Sequence, residues 1–279
     1  MKKLFSKTLM ACAVTGVLGL ASSAAMAFPT FTVNETAVKP GVTLPNSFTA
    51  DKITGNYVEV ISFTNTTATS GSFDVSLRWN AGQFVANNGS TPASTQLGSF
   101  TANQYGLYAL YQGKGTFSGT GTRTTFSFVP GGNLNLFLDP NHDTTFAQPA
   151  SGTMAFATGN NADDRLIASG VPTSGQGTLD PTLSTCTGGG GNGINCGSFG
   201  TSSTLSLTSA GSQYFTAPNP FYNVSFQSGQ LNNFTPSGTQ VINGSLDVIF
   251  GTAVPEPGSV ALIGLGLLGL GLSRRRKQA

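Results

Sequence analysis

Phe73-Asp74-Val75-Ser76-Leu77-Arg78-Trp79-Asn80 is the segment that best indicates the fold class. Apolar and polar residues alternate along its whole length. Alternation with a period of two is typical of a β-strand that buries one face. The apolar residues, from Phe73 to Trp79, are therefore predicted to face a core. The polar residues between them are predicted to face away from it.

Strand patterns continue on both sides of this segment. Short runs rich in β-branched and aromatic residues, several of them alternating, occur at 57–63, 123–128, 134–138, 204–207, 221–226, 239–242 and 245–250. Two turn signals lie between neighbouring runs, Pro130-Gly131-Gly132-Asn133 and Asn243-Gly244, and each predicts a β-hairpin. Between the two termini, Pro, Gly and Asn interrupt the chain too often for helical spacing.

These elements predict an all-β fold. Short antiparallel strands joined by turn residues, over residues 28–253, are typical of an antiparallel β-sandwich, jelly-roll-like, or of two small lobes. Residues 160–200 are poor in strand patterns and contain the run Gly188-Gly189-Gly190-Gly191. A mobile Gly-rich loop is therefore predicted at about 160–200. An insertion on a single domain is one form that this loop can take.

Charge is scarce and unevenly placed. Charged residues make up 9% of the 279 residues, against about a quarter in an ordinary soluble domain. Seven of the 13 Lys and Arg residues lie in the two termini, so residues 28–253 hold six basic and ten acidic residues, a formal balance of −4. Such a body has no dense basic surface, which excludes nucleic acid as a partner. A single His excludes His-cluster metal sites and leaves carboxylate and amide oxygens as ligands.

The N-terminus has the three parts of a secretory signal peptide, predicted over residues 1–27. Met1-Lys2-Lys3 is positively charged, an apolar run follows from Leu9 to Leu20, and Ala25-Met26-Ala27 supplies the small residues that signal peptidase requires. Cleavage after Ala27 makes Phe28 the first residue of the exported chain. Leu9-Met10-Ala11-Cys12 offers an alternative lipoprotein cleavage, but a cut there strands the main apolar run downstream.

The C-terminus also has three parts, over residues 254–279. Val254-Pro255-Glu256-Pro257-Gly258-Ser259 is a helix-breaking entry, residues 260–272 are apolar and rich in Gly and Leu, and Arg274-Arg275-Arg276-Lys277 is a basic tail. Residues 259–272 reach about 21 Å as a helix, whereas a bilayer core is about 30 Å thick. They predict a short transmembrane helix that anchors the chain transiently in the inner membrane, with the basic tail in the cytoplasm and the body outside.

The order of motif, apolar helix and basic tail resembles the PEP-CTERM sorting signal of Gram-negative bacteria. The resemblance implies that an exosortase, a membrane transpeptidase, processes the chain near Pro255-Glu256-Pro257. It also implies export in an organism that makes extracellular polysaccharide. An uncleaved membrane anchor is the alternative.

Six blocks spread over the body carry a family resemblance. They are Phe31-Thr32-Val33-Asn34-Glu35, Ala50-Asp51-Lys52-Ile53-Thr54-Gly55-Asn56-Tyr57, Gln104-Tyr105-Gly106-Leu107-Tyr108-Ala109-Leu110, Leu138-Asp139-Pro140-Asn141, Asp143-Thr144-Thr145-Phe146 and Tyr214-Phe215-Thr216-Ala217-Pro218-Asn219-Pro220-Phe221-Tyr222. With these blocks the body resembles the flocculation-associated PEP-CTERM protein family. The resemblance implies a non-catalytic protein of the cell surface or extracellular matrix that promotes cell aggregation, in flocs or biofilm, together with extracellular polysaccharide. No catalytic residue comes with it.

Cys186 and Cys196 are predicted to form a disulfide. Cys12 leaves with the signal peptide, and the two remaining cysteines belong to an exported chain. The bridge closes a loop of about eleven residues, which stabilises the fold by about 3 kcal/mol in the chain-entropy model. Two free thiols or a metal-binding pair are the alternatives.

Asp139-Pro140-Asn141-His142-Asp143 places oxygen ligands at alternate positions, as at the start of a calcium loop. Asp139, Asn141 and Asp143 are therefore candidate calcium ligands. The rest of an EF-hand is missing, and a calcium site of another kind can borrow Asp163 or Asp164 as further ligands. The alternative is a polar turn in which Asp and Asn bond to nearby backbone groups. No other cofactor is expected.

Catalysis is not expected. Glycoside hydrolysis needs two carboxylates that face one bond, and the sequence sets no such pair apart. Glu59 is predicted to point to solvent from its strand, and Glu35 lies near the mature N-terminus. A Ser–His–Asp triad depends on His142, and no Gly-x-Ser-x-Gly turn surrounds a serine. A secreted polysaccharide-modifying enzyme that uses a carboxylate pair is the alternative function.

Overall fold

The computed structural model describes residues 28–39, 47–98, 104–186 and 193–251. These residues are all-β, as predicted, apart from one 3-10 turn (Glu35–Ala37) and one short helix, α1 (Ser209–Tyr214). The strands are β1 (Phe31–Asn34), β2 (Ser47–Ala50), β3 (Lys52–Asn65), β4 (Ser70–Ala86), β5 (Thr91–Pro92), β6 (Gly106–Thr120), β7 (Arg123–Asp139), β8 (Thr145–Ala147), β9 (Ala157–Gly159), β10 (Arg165–Gly170), β11 (Pro172–Leu179), β12 (Gly197–Ser203), β13 (Ser206–Leu207), β14 (Phe215–Ala217), β15 (Asn223–Ser228) and β16 (Thr239–Gly251).

Eight strands close into an antiparallel barrel. Hydrogen bonds link them in the order β11-β12-β15-β16-β3-β4-β6-β7, and β7 pairs with β11 to complete the ring. The predicted jelly-roll-like β-sandwich is therefore corrected, because the strands form one closed sheet instead of two separate sheets. Most of the short runs seen in the sequence are parts of longer strands, up to 17 residues in β4 and β7, which wrap around one core, whereas of the run 204–207 only Ser206–Leu207 is strand.

The hairpin predicted at Pro130-Gly131-Gly132-Asn133 is wrong, because β7 runs through this segment. Residues 130–132 lie opposite the single residue Gly113 of β6, which makes a β-bulge. Gly131 and Gly132 have φ values of 113° and 95°, a conformation that only glycine adopts readily. The bulge is also where β7 changes its partner: the part before it pairs with β11 and the part after it with β10.

The hairpin predicted at Asn243-Gly244 is also wrong. β16 continues through both residues, and its residues from Thr239 to Val248 all pair with β3. Gly244 serves a close approach instead, because a Cβ there would lie 3.1 Å from Cε1 of Tyr57. Pairing along the length of β3 therefore outweighs the local turn preference.

The region predicted as a loop at about 160–200 contains strands. β10, β11 and the start of β12 lie in this region, and β11 and β12 belong to the barrel. The sequence of β11, Pro-Thr-Ser-Gly-Gln-Gly-Thr-Leu, has little intrinsic strand preference. The strand forms because β7 and β12 pair with it on both sides.

The predicted disulfide is confirmed. Cys186 is bonded to Cys196 in the connection from β11 to β12. Cys196 is fully buried, and its backbone N–H donates to the carbonyl of Leu231 at 2.9 Å. The bridge therefore ties this connection to the segment between β15 and β16.

The barrel interior contains the predicted core face of β4. Phe73, Val75, Leu77 and Trp79 are all buried. The indole Nε1 of Trp79 donates a hydrogen bond at 3.0 Å to the carbonyl of Leu246 on β16. The largest side chain of the core is therefore both enclosed and satisfied.

One end of the barrel is covered by a three-stranded sheet in the order β14-β1-β2. The ring of Phe31 in β1 packs against Phe84, Phe215 and Phe250, with ring centroids between 4.9 and 6.2 Å apart. Phe84 and Phe250 lie near the ends of β4 and β16. This N-terminal strand therefore closes the core at that end.

The described body begins and ends at this covered end. The backbone N–H of Phe28 donates to Oδ1 of Asn88, just after β4, at 3.0 Å. β16 ends at Gly251, which pairs with Asn223 at the start of β15. The disulfide lies at the opposite end, between the last residue of β11 and the first residue of β12.

None of the helices in the described ranges is long and apolar enough to cross a membrane. The helix predicted at 260–272 lies outside those ranges.

Candidate functional site

The structure brings together carboxylates that lie apart in the sequence. Asp139 is the last residue of β7, Asp143 follows in the next loop, and Asp163 precedes β10. One oxygen from each of the three lies within 4.8 Å of the others. Asp139 is buried, Asp163 is half-buried and Asp143 is exposed. Asp163 thus lies beside two of the residues predicted to bind calcium.

Backbone groups of the loop orient this acidic cluster. Asp139 accepts the N–H of Asp143 at 3.2 Å and that of Thr144 at 3.0 Å. Asp163 accepts the N–H of Asn141 at 3.2 Å. Asn141, the third predicted ligand, therefore contacts the cluster through its backbone, and its side chain is exposed. Three carboxylates at this spacing offer several oxygens to a hard cation such as Ca²⁺.

Asp164 makes a separate contact beside the cluster. Tyr108 donates its hydroxyl to Oδ2 of Asp164 at 2.5 Å, and Thr144 donates to the same carboxylate at 2.9 Å. Burial raises the pKa of Asp164, and the charges of Asp139 and Asp163 add to the rise, while the two hydroxyl donors oppose it. A cation bound beside Asp139 and Asp163 would offset this repulsion.

A groove of about 560 Å³ crosses the outer face of the barrel over β11, β12, β15 and β16, and its lining consists of uncharged polar residues, glycines, Phe199 and Asp247. We call it the cross-strand groove. The residues that define it are Gln176, Thr178, Ser198, Gly200, Gln227 and Asp247.

Strand pairing aligns the residues of the cross-strand groove in one row. Gln176 pairs with Gly200, Gly200 with Gln227, and Gln227 with Asp247. Residues paired across antiparallel strands project to the same face of the sheet. The row therefore presents one amide on each side of a glycine, followed by a carboxylate.

The cross-strand groove carries little net charge. Its carboxylate, Asp247, lies 2.9 Å from Nζ of Lys52 on β3. The two side chains are 35% and 17% exposed, so the ion pair is partly shielded from water. The groove is therefore a surface of amide, hydroxyl and backbone groups, with the half-buried Phe199 among them and one neutralised charge at its end.

The two glutamates considered for catalysis lie in separate, enclosed places. Glu35 is fully buried and accepts hydrogen bonds from the hydroxyl of Tyr105 at 3.0 Å and the backbone N–H of Gln96 at 2.8 Å. The prediction that Glu59 points to solvent is wrong, because its side chain is buried inside the barrel. Burial raises the pKa of Glu59 to about 8. Neither Glu35 nor Glu59 lines the cross-strand groove.

Sequence reasoning missed the cross-strand groove. Gln176, Thr178 and Ser198 come from the region predicted as a loop, and no residue type in the groove is unusual for this chain. The groove exists because of the register between four strands, and a single sequence does not define that register. The one local signal is the polar and Gly-rich character of β11 and β12.

Most of the predicted processing residues lie outside the described ranges, although Phe28, the predicted first residue of the exported chain, lies inside them. Those outside are Ala25 and Ala27 of the signal peptide, Val254, Pro255, Glu256 and Pro257 of the sorting motif, and Arg274, Arg275, Arg276 and Lys277 of the basic tail.

The barrel body and the tripartite C-terminus together define an exported protein with a terminal sorting signal. The family model of the PEP-CTERM protein-sorting motif matches residues 253–277. This match supports a PEP-CTERM protein that is processed by an exosortase and sorted to the cell surface. The search of curated proteins gives no match, and the search of solved structures gives none.

Proposed function

We propose that this protein is a non-catalytic component of the cell surface or extracellular matrix that promotes cell aggregation, in flocs or biofilm, together with extracellular polysaccharide. The observation that carries the proposal is the sorting motif at residues 253–277, placed after a barrel whose outer face has a neutral polar groove. The sorting motif supplies the location, and the groove supplies a surface suited to an uncharged polar polymer.

The charge of the body supports a polysaccharide partner. Residues 28–253 have a formal balance of −4 and few charges of either sign. Contact with a polymer therefore depends on hydrogen bonds from Ser, Thr, Asn and Gln side chains. Hydrogen bonds of this kind are little affected by salt, in contrast to attraction between opposite charges.

The positions of the carboxylates favour binding over catalysis. Hydrolysis of a glycosidic bond requires an acid and a second carboxylate on either side of the bond. The cross-strand groove has one carboxylate, Asp247, which is paired with Lys52. Glu35 and Glu59 are enclosed in different parts of the protein. A polysaccharide-modifying enzyme therefore receives less support than a binding protein.

The partners during export are signal peptidase and an exosortase. Signal peptidase cuts after Ala27, and the exosortase cuts near Pro255-Glu256-Pro257. Between the two cuts the C-terminal segment anchors the chain in the inner membrane of a Gram-negative bacterium. The mature body then remains at the cell surface or in the matrix.

The test is a chromosomal deletion in the producing organism. The deletion strain is expected to form fewer or looser flocs and to release more free polysaccharide into the medium. Complementation with the full-length chain should restore both properties. A deletion strain that flocculates normally and retains its polysaccharide overturns the proposal.

A further inference from the structure

We propose that the cross-strand groove binds an extended segment of neutral polysaccharide that runs across the strands of the barrel. This inference rests on the proposed function, and it adds a binding site and the charge class of the polymer. It comes from the spacing, chemistry and charge of the row Gln176, Gly200, Gln227 and Asp247.

The spacing of the row suits a sugar polymer. Neighbouring strands lie about 4.8 Å apart, so a row over four strands spans about 14 Å. The repeat of an extended pyranose chain is close to the distance between strands. Successive sugars laid across β11, β12, β15 and β16 therefore meet a new set of outward-facing groups at each strand.

The groups in the groove match sugar hydroxyls. Gln176 and Gln227 each offer an amide that both donates and accepts hydrogen bonds. Thr178 and Ser198 pair with each other on β11 and β12 and add two hydroxyls. Gly200 has no side chain, so a polymer can approach the backbone between the two glutamines.

The charge of the groove selects a neutral polymer. The described residues that line the groove include no Lys or Arg, and Lys52 neutralises Asp247 at 2.9 Å, so the lining does not attract carboxylated or sulfated sugars. An anionic polymer instead lies close to a carboxylate. Binding is therefore expected to favour neutral chains and to depend little on salt.

Gly200→Trp tests the groove directly. An ideal Cβ at Gly200 has its nearest neighbours at 3.7 and 3.9 Å, which is ordinary contact, so a side chain there projects into the groove without disturbing the barrel. Thr116→Trp is the control, because Thr116 is exposed on β6, outside the groove. Circular dichroism and thermal melting establish that each variant is folded.

Affinity electrophoresis of the mature protein through hydroxyethylcellulose and carboxymethylcellulose gives the readout. These polymers share a backbone and differ in charge. The wild type and Thr116→Trp are expected to be retarded by the neutral polymer at low and high salt, and Gly200→Trp to lose at least tenfold in affinity. A Gly200→Trp variant retarded like the wild type overturns the proposal, as does a wild type that binds neither polymer or binds only the anionic one.

A second pair of variants keeps the test valid if Gly200→Trp does not fold. Gln176→Ala with Gln227→Ala removes both amides and is expected to weaken retardation by the neutral polymer at least tenfold. Gln240→Ala, a glutamine of β16 outside the groove, is the control and is expected to bind normally. Equal binding by the double variant and the wild type rejects the groove.

Failure of the groove and failure of the proposed function give different results. A deletion strain that loses its flocs, combined with normal polymer binding by the groove variants, rejects the groove and leaves the proposed function in place. A deletion strain that flocculates normally rejects the proposed function, whatever the groove binds.

Discussion

Glu59 is a carboxyl group enclosed in the barrel, on a strand whose sequence gives no clear alternation. In Tyr57-Val58-Glu59-Val60-Ile61 the residues on both faces are apolar, so the pattern does not indicate which face is the interior. Val60, on the outer face, is also fully buried. The chain beyond β8 crosses this outer surface, where the N–H of Gly152 donates to Oγ of Ser62 at 3.0 Å. The position of Glu59 was therefore beyond prediction from the strand alone.

The buried carboxyl makes stability depend on pH. Burial raises the pKa of Glu59 from 4.5 to about 8, so the folded protein keeps a proton that the unfolded chain loses. The contribution of Glu59 to stability is fully present below pH 4.5 and falls as the pH rises towards 8, by about 1.4 kcal/mol for each pH unit within that window. Burial also raises the pKa values of Tyr57 and Tyr111, which share the interior and stay neutral.

Glu59→Gln is expected to remove this pH dependence. At pH 8 the variant should unfold at a higher urea concentration than the wild type, because its free energy of unfolding is larger by several kcal/mol. At pH 4.5 the two proteins should be closer in stability. Urea unfolding at the two pH values is the measurement, and Asp74→Asn on the neighbouring strand controls for the loss of one carboxylate. A wild type that is equally stable at both values contradicts the assignment.

At the scale of elements, the sequence predicted strands better than their connections. The buried face of β4 and the disulfide were predicted correctly. Alternation along one strand and the number of cysteines can both be read without knowing which strands pair. The two hairpins predicted from turn signals do not form, and the reasons differ. Gly131 and Gly132 form a bulge inside β7, and Asn243-Gly244 is held extended by β3. The register and partners of a strand thus override local turn preference.

The disulfide is expected to stabilise the connection from β11 to β12. Replacing both cysteines, Cys186→Ser with Cys196→Ser, should lower the free energy of unfolding by about 3 kcal/mol. Urea unfolding of the double variant beside the wild type is the measurement, and peptide mapping without reduction should show the two cysteine peptides linked. Two cysteines alkylated without prior reduction, or a double variant of unchanged stability, would be the opposite outcome.

The loop after β7 carries the calcium prediction. The acidic cluster consists of Asp139, Asp143 and Asp163, whose carboxylates repel one another when no cation lies between them. A bound Ca²⁺ should therefore raise the melting temperature above that in chelator. Asp139→Ala with Asp143→Ala should abolish the shift. Melting in calcium, magnesium and chelator is the measurement, with Asp180→Ala as a control outside the cluster. An unchanged melting temperature, or a shift that survives the double substitution, removes the site.

At the scale of the whole molecule, the barrel holds both ends of the described body at one end. Phe28 is bound to Asn88 there, and β16 ends there at Gly251, from which the chain continues to the sorting motif. The disulfide lies at the other end and the cross-strand groove on the side. The end of the described body that leads to the sorting motif and the cross-strand groove therefore lie in different parts of the protein.

The mature chain is expected to have two new ends. It should begin at Phe28 and end near residues 254–257, without Arg274 to Lys277, because a Pro-Glu-Pro sequence is expected to disfavour helix and to leave the backbone open to cleavage. Intact-mass measurement of the extracellular protein checks both ends. Replacing Pro255-Glu256-Pro257 with alanines should leave an uncut, membrane-bound form. An extracellular chain that still ends at Ala279 would show that the segment is only an anchor.

We propose that the protein aggregates cells by binding polysaccharide and not by altering it. The most direct measurement adds purified mature protein to the deletion strain and records both the settled fraction of cells and the chain length of the polysaccharide. We expect aggregation to increase in proportion to the protein added, with an unchanged polysaccharide length. Full aggregation from trace amounts, accompanied by a changed chain length, would contradict the claim and identify an enzyme.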